Sequence, residues 1–124
     1  MGAFNNIKIT GQCPSCNNET EILCQTHVAS SFNGLKGIRF CDNTYRIGEK
    51  MNWWDKSDEE FKTWRSGNYC NNSKLPENID IEACYSECQG CDAEAYAIIL
   101  FSDISPIAIL DLGLIKQWPS LFKK

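Results

Sequence analysis

Cys88-Gln89-Gly90-Cys91-Asp92-Ala93-Glu94-Ala95-Tyr96-Ala97-Ile98-Ile99-Leu100-Phe101-Ser102 runs from a tight cysteine pair straight into the longest apolar stretch of the chain, Ala95 to Phe101. That stretch has the length of one strand and falls far short of the roughly 18 apolar residues needed to span a bilayer. A turn, Ser102-Asp103-Ile104-Ser105, separates it from a second apolar segment, Pro106 to Leu112. Proline has no N–H to give a ladder, so Pro106 belongs at a strand's start or on a sheet edge. Ala93 to Ser102 and Pro106 to Leu112 are the strongest strands, and the fold reads as mainly β.

Weaker signals upstream point the same way. Lys8 to Thr10 lead into a first cysteine turn, and Glu19 to Ala29 follows as a strand with Ile22, Cys24, Thr26 and Val28 on one face at period two. Ser30 to Gly37 is a polar loop. Ile38 to Cys41 and Tyr45 to Trp54 read as further strands joined by Asp42-Asn43, with Gly48 marking a bulge. Ser57-Asp58-Glu59-Glu60 matches a capping box, so a short helix is expected to carry Phe61, Trp64 and Arg65 before Gly67 stops it. Asn68 to Asn78 is loop-like, Ile79 and Ile81 open another short strand, and Ile115, Trp118 and Phe122 suggest a last helical turn.

The cysteines carry the chemistry. Cys13-Pro14-Ser15-Cys16 near the start and Cys88-Gln89-Gly90-Cys91 late in the chain are two Cys-x2-Cys pairs. Two cysteines three positions apart on a tight turn can aim both sulfurs at one ion, and a second such turn completes a tetrahedron. Pro14 fixes φ in the first turn, and Gly90 is expected to supply unusual dihedrals in the second. Cys13, Cys16, Cys88 and Cys91 are thus a candidate metal set, with structural Zn2+ as the expected ion and iron as the alternative. Cys24, His27, Cys41 and Cys70 could form a second set, but Cys24 and His27 on one strand would face opposite sides. Buried free thiols and a surface His27 are the simpler expectation there, and Cys84 is either a replacement ligand or a core thiol.

The paired turns resemble the two knuckles of zinc ribbons, from which β-hairpins grow. That resemblance implies a structural zinc and, for many ribbons, work in nucleic-acid machinery. Compact ribbons hold their knuckles much closer in sequence, so a long sheet and helix would be inserted here. Cys84 to Cys91 also has spacing similar to the iron–sulfur motif of radical SAM enzymes, but this chain is too short and too poor in helices for their barrel.

A chain of 124 residues with 43% hydrophobic and 23% charged residues suits one domain, 1–124, that buries roughly two-thirds of its unfolded surface. The start, Met1-Gly2-Ala3-Phe4, lacks a basic and then apolar leader, so a reduced, cytoplasmic, metal-binding protein is expected. Net charge is −4, which opposes binding by phosphate neutralisation and favours a basic protein partner.

Catalysis finds little support. The single histidine, His27, would have to serve any Cys-His pair, and no nucleophile elbow or phosphate loop is present. A zinc deaminase needs a His-x-Glu before its Pro-Cys-x-x-Cys, and a four-thiolate site leaves no open position for water. Asp55, Asp58, Glu59 and Glu60 coincide with a helix start, where carboxylates complement the dipole. Adjacent Trp53 and Trp54 cannot face the same core from one strand, so one is either covered by the helix at Ser57 to Arg65 folding back over it or a candidate anchor for a partner, rimmed by Asp55, Asp58 and Glu59.

The expectation is an antiparallel sheet domain with one or two short helices, built around a four-cysteine zinc site. Its expected role is non-catalytic protein binding, in its specific form an immunity-type inhibitor of a basic, nuclease-like toxin. The alternatives are a zinc-ribbon accessory protein of nucleic-acid machinery and a Cys-x-x-Cys redox protein.

Overall fold

Alternating burial makes the first strands. The computed structural model describes residues 5–27, 43–51, 59, 62, 65, 79–102 and 105–119. Strand β1 (Asn5–Gln12) turns Asn5, Ile7 and Ile9 inward, and β2 (Glu19–Thr26) does the same with Ile22, Cys24 and Thr26. Strand β3 (Thr44–Arg46) buries Tyr45. Then come β4 (Ile79–Cys88), β5 (Glu94–Ser102) and β6 (Ser105–Leu114), followed by a 3-10 turn over Ile115–Gln117. Glu59, Lys62 and Arg65 are helical.

The six strands form one sheet in the order β3-β1-β2-β4-β5-β6. Every neighbouring pair is antiparallel except β1 with β3, so the sheet is mixed. It curls until its edges meet: the Gly48 amide, in the turn after β3, donates to the Pro106 carbonyl of β6 at 2.7 Å. The inside of the curl holds the main core, which includes Ile7, Ile9, Ile22, Cys24, Tyr45, Met51, Cys84, Ala97, Ile99 and Phe101. A smaller cluster of Ala83, Tyr96 and Ile98 lies on the outer face, with Ile81 and Trp118 against it. Strand β5 is therefore covered on both sides, which explains its unbroken apolar run.

Three strand expectations need correction. The stretch 45–54 is not one strand. It stops at Arg46 because Glu49 turns the chain back, its amide donating to the Arg46 carbonyl at 3.1 Å and its Oε1 accepting from the Arg46 amide at 2.9 Å. Gly48, read as a bulge, takes φ 94° in that turn, a region glycine enters without penalty. The second concerns β4, which is longer than Ile79 and Ile81 suggested. Its inward residues are Asp80, Glu82, Cys84, Ser86 and Cys88, so polar groups occupy the side where apolar ones would announce a strand. The third is Lys8 to Thr10, which belong to a full strand, β1, rather than a lead-in. The expected strand at Ile38 to Cys41, the cap at Ser57 and the end of the last turn at Phe122 lie outside the described residues.

Those inward polar groups are paired, as burial demands. Glu82 is fully buried and accepts from the Thr26 hydroxyl, from the His27 amide at 3.1 Å and from the Cys84 thiol at 3.3 Å. Arg65 Nε lies 3.0 Å from Asp80 Oδ1. On the edge, β6 carries two bulges, at Ile107 and Leu110, which push these side chains into solvent. With Pro106 they spoil the edge as a template for another strand.

Two outcomes follow for stability. A Cβ on Gly113 would lie 2.4 Å from the Tyr96 ring, which is held by its hydroxyl donating to Asp111 at 2.8 Å. Gly113→Ala is expected to cost about 1–3 kcal/mol in urea unfolding. His27 Nδ1 lies 3.5 Å from Glu82 Oε2, and this hydrogen bond, helped by the carboxylate's charge, outweighs desolvation and raises the imidazole pKa. The folded value exceeds the unfolded one, so the pair stabilises fully below the unfolded pKa of about 6.5 and fades as pH rises through the folded value. His27→Gln should therefore lower the urea midpoint at about pH 5.5 and change it much less at about pH 8.5.

Candidate metal centre

The first cysteine turn joins β1 to β2, and the second joins β4 to β5. Both fold by the same local rules. In the first, the Cys13 amide donates to the Asn18 carbonyl at 3.0 Å and the Asn17 amide to the Cys13 carbonyl at 2.9 Å. In the second, the Cys88 amide donates to Ala93 at 3.0 Å and the Asp92 amide to Cys88 at 2.9 Å. Each turn reverses at the residue after its second cysteine, where Asn17 and Asp92 take φ 62° and 61°. Asn and Asp tolerate that left-handed region better than other side-chain-bearing residues. The Asn and Asp that follow the two pairs were a readable signal that the sequence reading passed over.

Gly90 serves differently from the expectation. The left-handed residue of its turn is Asp92. Gly90 provides space instead, since a Cβ there would lie 3.0 Å from Thr20 Oγ1 on the neighbouring hairpin. The two tips pack closely, and the Gln89 amide ties them by donating to the Glu21 carbonyl at 2.9 Å.

This packing brings Cys13, Cys16, Cys88 and Cys91 together, with all four sulfurs within 4.8 Å of one another. The Cys13 and Cys91 sulfurs are 3.7 Å apart. Metal–sulfur bonds of about 2.3 Å would set the corners of a tetrahedron about 3.8 Å apart, so the four sulfurs could hold a metal ion. Backbone amides already point at them: Ser15 and Cys16 donate to Cys13 Sγ at 3.3 and 3.4 Å, and Gly90 to Cys88 Sγ at 3.3 Å. Burial pushes the Cys13 thiol up, but the amides of Cys16 and Ser15 and the neighbouring thiols outweigh it and bring it down to about 6. Cys91 is pushed up to about 12: the Ala93 amide favours its thiolate, and desolvation with thiol sharing among Cys88, Cys13 and Cys16 overcomes that. A cation is what would let all four lose their protons together.

The remaining described cysteines are of another kind. Cys24 and Cys84 sit in the core on β2 and β4, away from the cluster. Burial raises Cys24 to about 11 against a hydrogen bond from Ser86. Burial and the Glu82 charge hold Cys84 well above the ordinary thiol range. Both are protonated core thiols. His27 is on the surface, turned to Glu82, so Cys24 and His27 do not converge. Cys41 and Cys70 of the possible second set lie outside the described residues, as do Trp53, Trp54, Asp55 and Asp58. Glu59 is helical and exposed. No helix among the described residues is long and apolar enough to cross a membrane.

No protein-family model matches this chain, and neither the curated proteins nor the solved structures give a match.

Removal of one ligand tests what the centre holds up. Cys88→Ser should abolish stoichiometric metal binding and lower the melting temperature, because Cys88 also ends β4 and pairs with Ile22 in the middle of the sheet. Metal analysis together with a thermal melt, with and without a chelator, reads both effects.

Proposed function

We propose that this chain is a non-catalytic protein-binding domain whose four cysteines hold a structural zinc ion. Zinc is favoured by a closed four-thiolate set with no position left for water or substrate, and by its availability over other thiophilic ions. It would clasp two hairpin tips that are far apart in sequence.

The observation that carries the binding reading is the outer face beside this clasp. Glu87 of β4 stands directly opposite Glu94 of β5, and Leu23 of β2 lies opposite Glu87 on the other side. Half-buried Tyr85, two residues along β4 and opposite Tyr96, lies with Leu23 as an apolar patch beside the carboxylates. Like charges directly opposite each other destabilise a sheet by a few tenths of a kcal/mol to about 1. Among the described residues no lysine or arginine pairs with either glutamate; the nearby Lys8 is engaged with Glu21 at 3.3 Å. The Tyr85 hydroxyl donates to Glu94, which with slight burial and the charges of Glu94 and Glu87 raises its pKa to about 12. An apolar patch with an uncompensated acidic rim fits a basic protein surface, whose cations would relieve the repulsion and steer the encounter.

The specific form that best suits a small acidic domain is an immunity-type inhibitor of a basic toxin such as a nuclease. The same acidic face disfavours a nucleic-acid partner. The test uses a co-purifying or genetically neighbouring basic protein, titrated by calorimetry at low and moderate salt. Affinity should fall with salt, and Glu87→Lys combined with Glu94→Lys should weaken binding at least about tenfold while the melt changes little, since one like-charged pair replaces another. Unchanged affinity in that variant would move the interface elsewhere, and tight binding to DNA or RNA at physiological salt would overturn the class.

A further inference from the structure

We propose that the cysteine centre is also an oxidation site, in which peroxide attacks Cys91 and Cys13 resolves it, so that a Cys13–Cys91 disulfide replaces the metal as the clasp between the hairpins. This rests on the metal-binding reading above.

The four sulfurs are unequal in access. Cys91 is exposed, Cys16 is half-buried, and Cys13 and Cys88 are buried. A small oxidant therefore meets Cys91 first. The sulfur at 3.7 Å from Cys91 belongs to Cys13, on the other hairpin. Two backbone amides point at Cys13 Sγ, whereas Gly90 alone does so at Cys88. Cys13 therefore lies within reach of the sulfur that oxidises, across the gap between the two hairpins, with its Sγ fixed by those two amides.

The chemistry balances with peroxide as the oxidant. Cys91, which a bound cation would hold as the thiolate, attacks one peroxide oxygen, the O–O bond breaks, and a sulfenic acid and hydroxide form. The Cys13 thiolate then attacks the Cys91 sulfur, making the S–S bond and expelling a second hydroxide. Two electrons leave the thiolates and reduce one peroxide. A metal that loses two of four ligands dissociates.

The product differs from a bond inside either Cys-x2-Cys pair. Cys13 follows β1, and Cys91 lies between β4 and β5, so this disulfide crosses from one tip to the other. It ties the same two hairpins that the metal ties and closes a long loop, where a cross-link limits the unfolded chain most. The fold would keep its clasp in either redox state while giving up its ion.

The experiment uses wild-type protein loaded with zinc and treated with hydrogen peroxide over a time course. A chromogenic chelator reads zinc release, and non-reducing peptide mass spectrometry maps the bonds. The expected result is release of about one zinc per chain, with Cys13–Cys91 as the first disulfide and metal uptake restored by dithiothreitol. The oxidised protein should melt closer to the zinc form than to the reduced, chelator-stripped form. Zinc retained after oxidant, a first bond within Cys13–Cys16 or Cys88–Cys91, or over-oxidation of Cys91 with no disulfide would each overturn the proposal. A reduced protein that never takes up zinc would instead defeat the metal reading, and bond mapping on that protein would still decide the disulfide.

Discussion

The antiparallel pairing of β2 with β4 is the constraint on which the rest depends. It joins two hairpins distant in sequence, and its register sets Ile22 opposite Cys88 and Cys24 opposite Ser86. A slip of one residue would turn every inward side chain of one hairpin outward. It would also carry the second cysteine turn away from the first, because the Gln89 amide would lose the Glu21 carbonyl. The four-cysteine cluster and the acidic outer face are two products of this single register. One forms at the tips, where the hairpins end together, and the other on the side turned from the core.

The interior that accompanies this register is unusual for its polarity. β4 lines the curl with Asp80, Glu82 and Ser86 as well as cysteines. A buried carboxylate such as Glu82 is tolerable only when its oxygens are engaged, and here donors come from β2, from the residue after it and from β4 itself. Such pairing specifies a partner strand more narrowly than apolar contact does, since a slipped Thr26 or His27 would leave charge without donors. The same polarity separates the cysteines by chemistry. Cys24 and Cys84 in the curl are held as thiols by burial, whereas Cys13 at the first tip is met by the amides of Cys16 and Ser15, which favour its thiolate.

What the sequence made legible follows from these facts. The clustering of Cys13, Cys16, Cys88 and Cys91 was readable because two tight turns of fixed spacing need no knowledge of the sheet between them. β5 was readable because burial on both faces leaves an unbroken apolar run, and β2 because Ile22, Cys24 and Thr26 alternate. β4 was half-hidden, since its inward side alternates polar residues whose partners sit on a distant strand. The parallel β1–β3 pair was invisible because three residues carry no period of their own. The pairing of Glu87 with Glu94 could have been found: in a hairpin that turns through Cys88 to Ala93, the residues just outside the turn must face each other.

That last pairing links the two proposed properties. Glu87 and Glu94 immediately flank the second cysteine turn, so whatever fixes that turn also fixes the spacing of the two carboxylates. A metal at the tips would hold the acidic rim ready before a partner arrives and so reduce the ordering cost of binding. Thermodynamic linkage makes the effect mutual: a partner that prefers the fixed rim must tighten the metal by the same factor that the metal tightens the partner. Cations from a partner would add to this by neutralising carboxylates that, with four bound thiolates nearby, place much negative charge on one end of the sheet. Salt should weaken this coupling more than it weakens the metal site, because the rim is exposed to solvent while two of the four sulfurs are buried.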